Sequence, residues 1–233
     1  MRVIVPLAGP DFVRRDGSIK GLTLFKGEPL LKYILDSRPW ALEITGYAFV
    51  LHDCTEARWF ATQHLELWYP GCSIIYSTTF TRGAALSALA GLSAVDDIHQ
   101  PLIIDLGDIY YASNLDIRSS LCSSGEIGAI ALVFKSTEPH YSYLSCDHNG
   151  VFLYAAEKRV VSDNASAGTY IFQNPATFLR SVAFAFENEA DEACNNLFYV
   201  CPLFNGVLRQ GKSVALEPVF AVSDVKLLDD PSD

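Results

Sequence analysis

Positively charged residues are scarce in this 233-residue sequence. It has 17 lysines and arginines against 27 aspartates and glutamates, which gives a formal net charge of -10. A protein that binds DNA or RNA by neutralising phosphates needs the opposite balance. We therefore expect no nucleic acid among its partners, and any anionic ligand must be held by a few well-placed lysines or arginines.

The signals of a zinc-stabilised or membrane-inserted protein are also lacking. The six cysteines form no Cys-x-x-Cys pair and no tight cluster with histidines, which argues against a structural zinc site. No apolar run approaches the roughly 18 residues that a membrane span needs. The N-terminal segment MRVIVPLAGP is too short for a signal peptide and is typical of a strand. We expect a cytoplasmic protein with no membrane partner.

What the first half of the sequence has instead is a regular alternation of strand-like and helix-like segments. Unbroken apolar runs predict strands at 2–7, 47–52, 72–77 and 101–106. Apolar residues at helical spacing predict helices at 29–37, 55–69 and 83–95. Thr55 and Thr81 are candidate N-caps for the second and third of these helices. Apolar strands separated by helices imply a mainly parallel sheet that is covered on both faces.

The pattern changes after about residue 125. The predicted elements there are a strand at 126–135, a hairpin at 140–158 that turns at 148–150, a strand at 169–172, and helices at 175–189 and 202–212. No linker rich in proline, glycine or serine interrupts the chain. Half of the residues are hydrophobic, which is enough for one well-filled core. We predict a single α/β domain over 1–233, with an antiparallel insertion in its second half.

Three segments leave predicted parallel strands at the end where ligands gather in such sheets. The first, 7–21, has small residues at Ala8 and Gly9, which allow a ligand to approach the backbone, and it carries Arg14, Arg15 and Lys20. An ordinary solvated loop is the alternative interpretation.

The other two segments are 81–89 and 102–111. Gly83 leaves open the first turn of a helix whose N-terminus could bind a phosphate, although a simple capped helix fits as well. Asp108 follows an apolar strand and a glycine, where a carboxylate suits Mg²⁺, but an aspartate there is more often a turn former. Asp105 lies within the strand and is a candidate for a buried, hydrogen-bonded residue.

Taken in order, these pieces resemble the motifs of sugar nucleotidyltransferases. KGLTLFKGEPLLKYIL is similar to the family signature KPLIEVNGKPLLEYVL, and Lys20 falls on its signature lysine. LAGP matches the start of the AAGxGxR nucleotide loop, TRGAAL the TxGAA helix start, and LGD the metal-bearing NGD. Later, the hairpin that ends in EK and the segment NASAGTYIF resemble the part that holds the sugar phosphate. FYVCPLFNGVLRQGK resembles the closing helix of capsule- and lipopolysaccharide-type members.

The resemblance implies a fold and a reaction. The fold would be the nucleotide-diphospho-sugar transferase (glycosyltransferase-A-like) fold, a three-layer α/β sandwich with a mainly parallel mixed sheet. Its nucleotide-binding part would cover about 1–125 and its sugar-phosphate-binding part about 126–233. The reaction would join a nucleoside triphosphate and a sugar 1-phosphate into a nucleoside diphosphate sugar and pyrophosphate, with Mg²⁺ as cofactor. Whether the protein forms a homo-oligomer stays open, and we expect no second activity.

The resemblance also implies roles for particular residues. Lys20 would stabilise the α-phosphate, Arg14 would hold the β- and γ-phosphates, and Asp108 would bind Mg²⁺. The nucleotide would be enclosed by Leu7, Ala8, Gly9, Thr81 and Gly83. The sugar phosphate would be met by Glu157, Lys158 and Gly168. Lys26, at an unremarkable family position, is predicted to face solvent.

Several positions depart from the family pattern. AGPDF replaces AGxGx, so the second glycine of the nucleotide loop is absent. Arg14 lies one position later than the family arginine, which makes Arg15 an alternative, and Gly21 replaces a proline. A second metal carboxylate is not evident near the C-terminal helix, where Asn205 is the nearest polar candidate.

These departures motivate an alternative, a catalytically impaired protein that binds a nucleotide or sugar phosphate on the same fold. A glycosyltransferase ranks last, because it would need an Asp-x-Asp motif and DLGD has the wrong spacing. The base and the sugar stay open. Trp68 and Tyr69 could serve either an interface or the core.

Overall fold

A computed structural model describes residues 1–122 and 126–224 of the chain. Residues 225–233 of the predicted sugar-phosphate part lie outside these ranges. The described strands are β1 (Arg2–Leu7), β2 (Leu24–Phe25), β3 (Glu28–Pro29), β4 (Gly46–His52), β5 (Ser73–Ser77), β6 (Leu102–Asp105), β7 (Ile109–Ala112), β8 (Ile127–Lys135), β9 (Ser142–Cys146), β10 (Phe152–Glu157), β11 (Asn164–Phe172), β12 (Ser213–Pro218) and β13 (Phe220–Asp224). The described α-helices are α1 (Leu30–Asp36), α2 (Thr55–Phe60), α3 (Glu66–Trp68), α4 (Ala84–Gly91), α5 (Ile117–Cys122), α6 (Pro175–Glu187), α7 (Glu189–Glu192) and α8 (Leu203–Leu208).

Within the described ranges, nine strands form one central mixed sheet. The order along it is β10-β9-β11-β6-β1-β4-β5, with β8 also paired to β11 and β12 paired to β8. Strand β1 runs parallel to β4 and β6, and β4 runs parallel to β5. Parallel strands end at the same edge of a sheet, so the segments that follow β1, β4, β5 and β6 emerge together.

The second half of the chain adds antiparallel strands. Strand β11 runs antiparallel to β6 and β8, and β9 and β10 form the predicted hairpin. Strands β7 and β13 form a separate antiparallel pair, and β7 follows β6 in the chain after a short turn. This pair brings the end of the described chain alongside the segment that carries Asp108.

Helices cover both faces of the sheet. Alternate residues of β1 point to opposite sides: Val3 and Val5 belong to one core cluster and Ile4 to the other. The first cluster includes side chains of α1 and α2, whereas the second includes side chains of α4, α6 and α8. The molecule is therefore a three-layer α/β sandwich, and the predicted fold class is confirmed.

Local details differ from the predictions. The segment predicted as one helix at 55–69 contains a π-helical turn, Ala61–Leu65, between α2 and α3. Thr55 is the first residue of α2 rather than its N-cap, which is Cys54 with no side-chain cap bond, so that prediction is wrong. The strands β7, β12 and β13 were not predicted: β7 has only four residues, and β12 and β13 contain charged residues, Glu217 and Asp224, among their apolar ones.

Two open questions are addressed by the packing. Trp68 and Tyr69 are partly buried against the core: the ring centroids of Tyr69 and Tyr47 lie 4.5 Å apart, and those of Trp68 and Phe60 lie 5.9 Å apart. Lys26 is exposed, as predicted, with its ammonium 4.4 Å from the centroid of the Tyr110 ring.

Over the described part of the chain, no helix has both the length and the apolar character required to cross a membrane.

Candidate active site

A cleft of about 570 Å³ opens at the carboxyl ends of β1 and β6. It is lined by residues from both halves of the chain. Among them are the predicted site residues Leu7, Ala8, Gly9, Lys20, Thr81, Gly83, Asp108, Glu157, Lys158 and Gly168. The structure thus brings together residues that lie up to 161 positions apart in the sequence, from Leu7 to Gly168.

Arg14 is the predicted site residue that the structure does not bring to the cleft lining. Its guanidinium donates instead to Thr23 Oγ1 (3.0 Å) and Ser18 Oγ (3.5 Å), within its own loop. Arg15, the alternative, is exposed. Lys20 is the cation of this loop that reaches the cleft.

Lys20 is held in place by its backbone. It begins a short 3-10 helix, Lys20–Leu22, and its N–H donates to Phe12 O (2.9 Å). The side chain is only 15 % exposed, and its Nζ lies 3.4 Å from Asp11 Oδ2. A mostly covered ammonium that lines a cleft is suited to an anionic ligand.

Asp108 stands on a turn that is fixed from below by a buried ion pair. Arg38 donates to both carboxylate oxygens of Asp105 (2.7 and 3.0 Å) and to Ile109 O (3.1 Å). Burial works to lower the pKa of Arg38, but the Asp105 carboxylate together with Tyr111 and Asp108 raises it overall. Asp105 also accepts the Gly107 N–H (2.9 Å), so the turn that presents Asp108 is tied to the strand. Asp105 is the buried, hydrogen-bonded residue that the sequence suggested.

A second carboxylate, Asp224, lies next to this turn and was missed in the sequence. Asp224 pairs with Ile109 in the β7–β13 ladder, and Ile109 is the residue that follows Asp108. Asp224 Oδ2 accepts a hydrogen bond from the Tyr141 hydroxyl (2.8 Å) and lies 3.7 Å from His140 Nε2. Burial, and then this hydrogen bond, raise the pKa of Tyr141. The signal in the sequence was a lone aspartate at the end of FAVSD, in a strand that was not predicted.

Asn205 is not the missing metal ligand. Its side chain bonds the backbone of Ala155, accepting from N–H (2.7 Å) and donating to the carbonyl (3.1 Å), and it donates to the Glu192 carboxylate. It therefore serves the edge strand β10 rather than the cleft. The sequence-based suggestion failed because it relied on nearness to the C-terminal helix.

The donor chemistry around Asp108 fits a magnesium ion that also binds substrate. Asp108, on the turn before β7, and Asp224, which pairs with Ile109 in the β7–β13 ladder, offer hard carboxylate oxygens. Gly168 has φ +75°, and a Cβ there would come within 3.3 Å of Asp108 Oδ1, so glycine leaves that carboxylate uncrowded. Over residues 1–122 and 126–224, no group of three or more His, Cys, Asp or Glu side chains could hold a metal alone. Mg²⁺ is usually held by one or two carboxylates together with substrate phosphates.

One end of the cleft is shaped by Gly83, the N-cap of α4. It has φ +102°, and a Cβ there would overlap the Phe198 backbone. Phe198 N–H donates to Arg82 O (2.8 Å), and Ala85 N–H donates to Phe198 O (3.1 Å). Thr81 does not cap the helix, which corrects the prediction: its hydroxyl bonds Ser87 Oγ (2.7 Å) and Gly83 O (3.1 Å).

At the other end of the cleft lie Glu157 and Lys158. The Ser142 hydroxyl donates to the Glu157 carboxylate. Lys158 has φ +50°, and its Nζ donates to the Tyr199 hydroxyl (3.2 Å) and lies 5.2 Å from the Tyr199 ring centroid. The hydrogen bond to Tyr199 raises the pKa of Lys158. This end of the cleft therefore presents a cation and a carboxylate side by side.

The fold and the cleft together define the class: the chain has the fold of sugar-phosphate nucleotidyltransferases, with a cleft at the carboxyl edge of its sheet. A scan of known protein families finds no match for the chain, and neither does a search of curated proteins.

Three solved structures carry the likeness. A nucleoside-diphosphate-sugar pyrophosphorylase from Vibrio cholerae RC9 is 20 % identical, with a TM-score of 0.79 over 96 % of this chain and 95 % of that chain. A glucose-1-phosphate thymidylyltransferase from Bacillus anthracis, so described and crystallised with a sucrose, is 15 % identical, with a TM-score of 0.70 over 96 % and 89 %. The inositol-1-phosphate CTP transferase from T. maritima is 14 % identical, with a TM-score of 0.68 over 95 % and 86 %.

Proposed function

We propose that the protein is a nucleotidyltransferase that makes a nucleoside diphosphate sugar and pyrophosphate from a nucleoside triphosphate and a sugar 1-phosphate. The observation that carries the proposal is the common cleft of Lys20, Asp108, Glu157 and Lys158, on a fold shared with proteins that are named for such reactions. The motif FYVCPLFNGVLRQGK supports a cytoplasmic role in making precursors of a surface polysaccharide.

In this reaction a phosphate oxygen of the sugar 1-phosphate attacks the α-phosphorus, and the bond from that phosphorus to the pyrophosphate oxygen breaks. The protein aligns two polyanions and offsets the charge that develops. Lys20 would meet the α-phosphate, and Lys158 would hold the sugar phosphate at the other end of the cleft. The backbone of 7–9 and the open helix start at Gly83 would enclose the nucleoside.

Asp108 and Asp224 are the residues that would hold Mg²⁺. When bound, the ion would screen the phosphate charges and favour departure of pyrophosphate. The Tyr141 hydroxyl orients the Asp224 carboxylate by its hydrogen bond (2.8 Å). Arg38 and Asp105 fix the turn that presents Asp108.

The test is a panel of nucleoside triphosphates and sugar 1-phosphates, with Mg²⁺ and a coupled assay for pyrophosphate. We expect turnover with at least one pair, and a loss of at least about a hundredfold in Lys20→Met. Lys26→Met is the matched control, because Lys26 is also followed by glycine but faces solvent. Absence of turnover across the whole panel, with the protein folded, would contradict the proposal.

The non-catalytic alternative loses one of its two motivations. It relied on a missing second carboxylate, and Asp224 supplies a carboxylate one residue from Asp108 across the β7–β13 pair. The altered glycine loop is the motivation that stands. The altered glycine loop belongs to the proposed nucleotide site rather than to the proposed metal site.

A further inference from the structure

Asp11 occupies the position of the absent second glycine, and its carboxylate lies in the cleft between two parts of the nucleotide site. One oxygen, Oδ2, lies 3.4 Å from Lys20 Nζ. The other, Oδ1, lies over Gly9: a Cβ on that glycine would come within 2.8 Å of it. Both Asp11 and Gly9 line the cleft. The carboxylate therefore lies in front of the Gly9 backbone, which is assigned to the nucleoside, and beside Lys20, which is assigned to the α-phosphate.

The loop holds Asp11 in this position. Phe12 N–H donates to Gly9 O (3.2 Å), which closes a turn with Pro10 and Asp11 at its centre. Phe12 O in turn accepts the Lys20 N–H (2.9 Å), so the turn and the lysine share one backbone frame. A ligand can displace the Asp11 carboxylate by side-chain rotation, since that side chain is 70 % exposed, but it cannot move the residue away from the site without breaking these bonds.

We propose that Asp11 is a built-in competitor for the phosphate position: in the ligand-free protein its carboxylate stands in for a phosphate oxygen at Lys20, and a bound triphosphate must displace it. The inference rests on the proposed function for the identity of the ligand. It has a direct electrostatic consequence. A triphosphate that enters beside Asp11 meets a like charge in addition to the lysine, and that repulsion weakens binding.

The repulsion depends on the net charge of the ligand. A bare triphosphate carries more negative charge than its magnesium complex, so Asp11 disfavours the bare form more strongly. Asp11 is thus a specificity residue that makes the site select the magnesium complex. A residue whose role was only to hold Lys20 in place would behave in the opposite way, because its loss would weaken the binding of every phosphate ligand.

The experiment compares Asp11→Asn with Asp16→Asn by calorimetric titration. Asparagine keeps the shape and a hydrogen-bond acceptor near Lys20 but removes the charge. Asp16 is a matched control, because it is an exposed carboxylate of the same loop that accepts hydrogen bonds from Ser18 N (2.9 Å) and Oγ (2.7 Å). The probes are inorganic tripolyphosphate, and ATP, CTP, GTP, UTP and dTTP in turn, each in excess Mg²⁺ and in EDTA. Melting temperatures check that the variants are folded.

We expect Asp11→Asn to lower the Kd of the bare triphosphate about three- to tenfold, and that of the magnesium complex by less, while Asp16→Asn stays near wild type. Weaker binding in Asp11→Asn, or a change equal to that in Asp16→Asn, overturns the inference. If no nucleotide binds any variant but tripolyphosphate binds Asp11→Asn more tightly than wild type, Asp11 competes for an anion site and the nucleotide proposal fails. If tripolyphosphate also fails to bind, both proposals are overturned.

Discussion

Among single residues, Tyr199 has the clearest supporting role at the end of the cleft that we propose for the sugar phosphate. Its hydroxyl accepts a hydrogen bond from Lys158 Nζ, and its ring packs near the same ammonium. Tyr199→Phe keeps the ring and loses the hydroxyl, so Lys158 loses a directing partner. We expect KM for the sugar 1-phosphate to rise about three- to tenfold, with KM for the triphosphate unchanged.

Steady-state kinetics with each substrate varied in turn measures this split. Tyr154→Phe is the control, since Tyr154 is an exposed tyrosine on β10 that does not line the cleft. An equal rise in both KM values would show a general disturbance of the cleft and contradict the positioning role of Tyr199.

Glu192 gives a prediction about pH. Burial raises the pKa of Glu192 above its ordinary value, and the hydrogen bond from Asn205 only partly offsets this. A raised folded-state pKa means that the folded protein binds the proton more tightly than the unfolded chain, so stability falls as pH rises from the ordinary glutamate range through the folded pKa. At pH values above the folded-state pKa, the buried Glu192 carboxylate is ionised and lowers the free energy of unfolding by a constant amount.

Glu192→Gln removes this cost and keeps an acceptor for Asn205. We expect the variant to melt at a higher temperature than wild type at pH 7, and the gain to vanish as pH falls below the ordinary glutamate pKa. Thermal melts from pH 3.5 to 7.5 test this. A gain that is independent of pH would assign the effect to packing instead of ionisation.

Single residues also show where sequence reasoning succeeds. Lys20 and Asp108 could be placed in one cleft from the sequence because each lies in a segment that leaves a predicted parallel strand and carries a recognisable local pattern. Asp224 could not, because its significance arises only when β13 pairs with β7, and nothing in the local sequence specifies that pairing. Thr81 was assigned to a helix cap on residue type alone, whereas the nearby Ser87 hydroxyl competes for its hydrogen bond.

For the elements, stability of the β6–β7 turn depends on the buried pair of Arg38 and Asp105. Both side chains are almost fully buried, and the guanidinium also stacks 3.8 Å from the Tyr111 ring centroid. Arg38→Met leaves the Asp105 carboxylate buried without its cation. We expect a loss of about 3–5 kcal/mol in the free energy of unfolding, measured by urea titration.

Arg58→Met is the control for this prediction. Arg58 makes a similar two-bond contact with Asp53 (2.6 and 2.9 Å), but that pair is exposed and screened by solvent, so the urea midpoint should change little. Equal losses in the two variants would mean that the burial of the Arg38 pair adds nothing.

The strands of the parallel half were predictable because burial on both faces demands unbroken apolar runs such as RVIVPL and PLIIDL. The pair β7–β13 was not, because β7 has only four residues and β13 mixes exposed, partly buried and buried positions, so no strong hydrophobic pattern marks it. The π-helical turn within 55–69 also leaves the helical apolar pattern intact, which is why that segment looked like a single helix.

For the whole molecule, ligand binding should appear as stabilisation. A triphosphate that binds only the native state, present at a hundred times its Kd, adds about 2.7 kcal/mol. In a chain of this size that corresponds to a rise in Tm of about 5–10 °C. Thermal melts with each nucleoside triphosphate and Mg²⁺ measure it and identify the base.

The control for the metal is a melt in which EDTA replaces Mg²⁺, and the control for the site is the variant Asp108→Asn. Both should reduce the shift if Asp108 holds the metal that accompanies the nucleotide. A shift that is the same with Mg²⁺, with EDTA and in the variant would place the nucleotide away from Asp108.

The overall architecture followed from the sequence more readily than the substrates did. A sandwich of this kind is fixed by where apolar runs fall, and this pattern persists although the three solved structures are only 14–20 % identical to the chain. The base and sugar depend on a few backbone and hydroxyl contacts in loops, which no periodic pattern encodes.

The attachment of Phe198 to Arg82 and Ala85 sets a rule for engineering. Because Gly83 admits no side chain against that backbone, the loop at 78–83 and the distant segment around Phe198 form one structural unit. A chimera that imports this loop from another protein must import the segment around Phe198 with it. Grafting the loop without the segment around Phe198 would lose the contacts between the two.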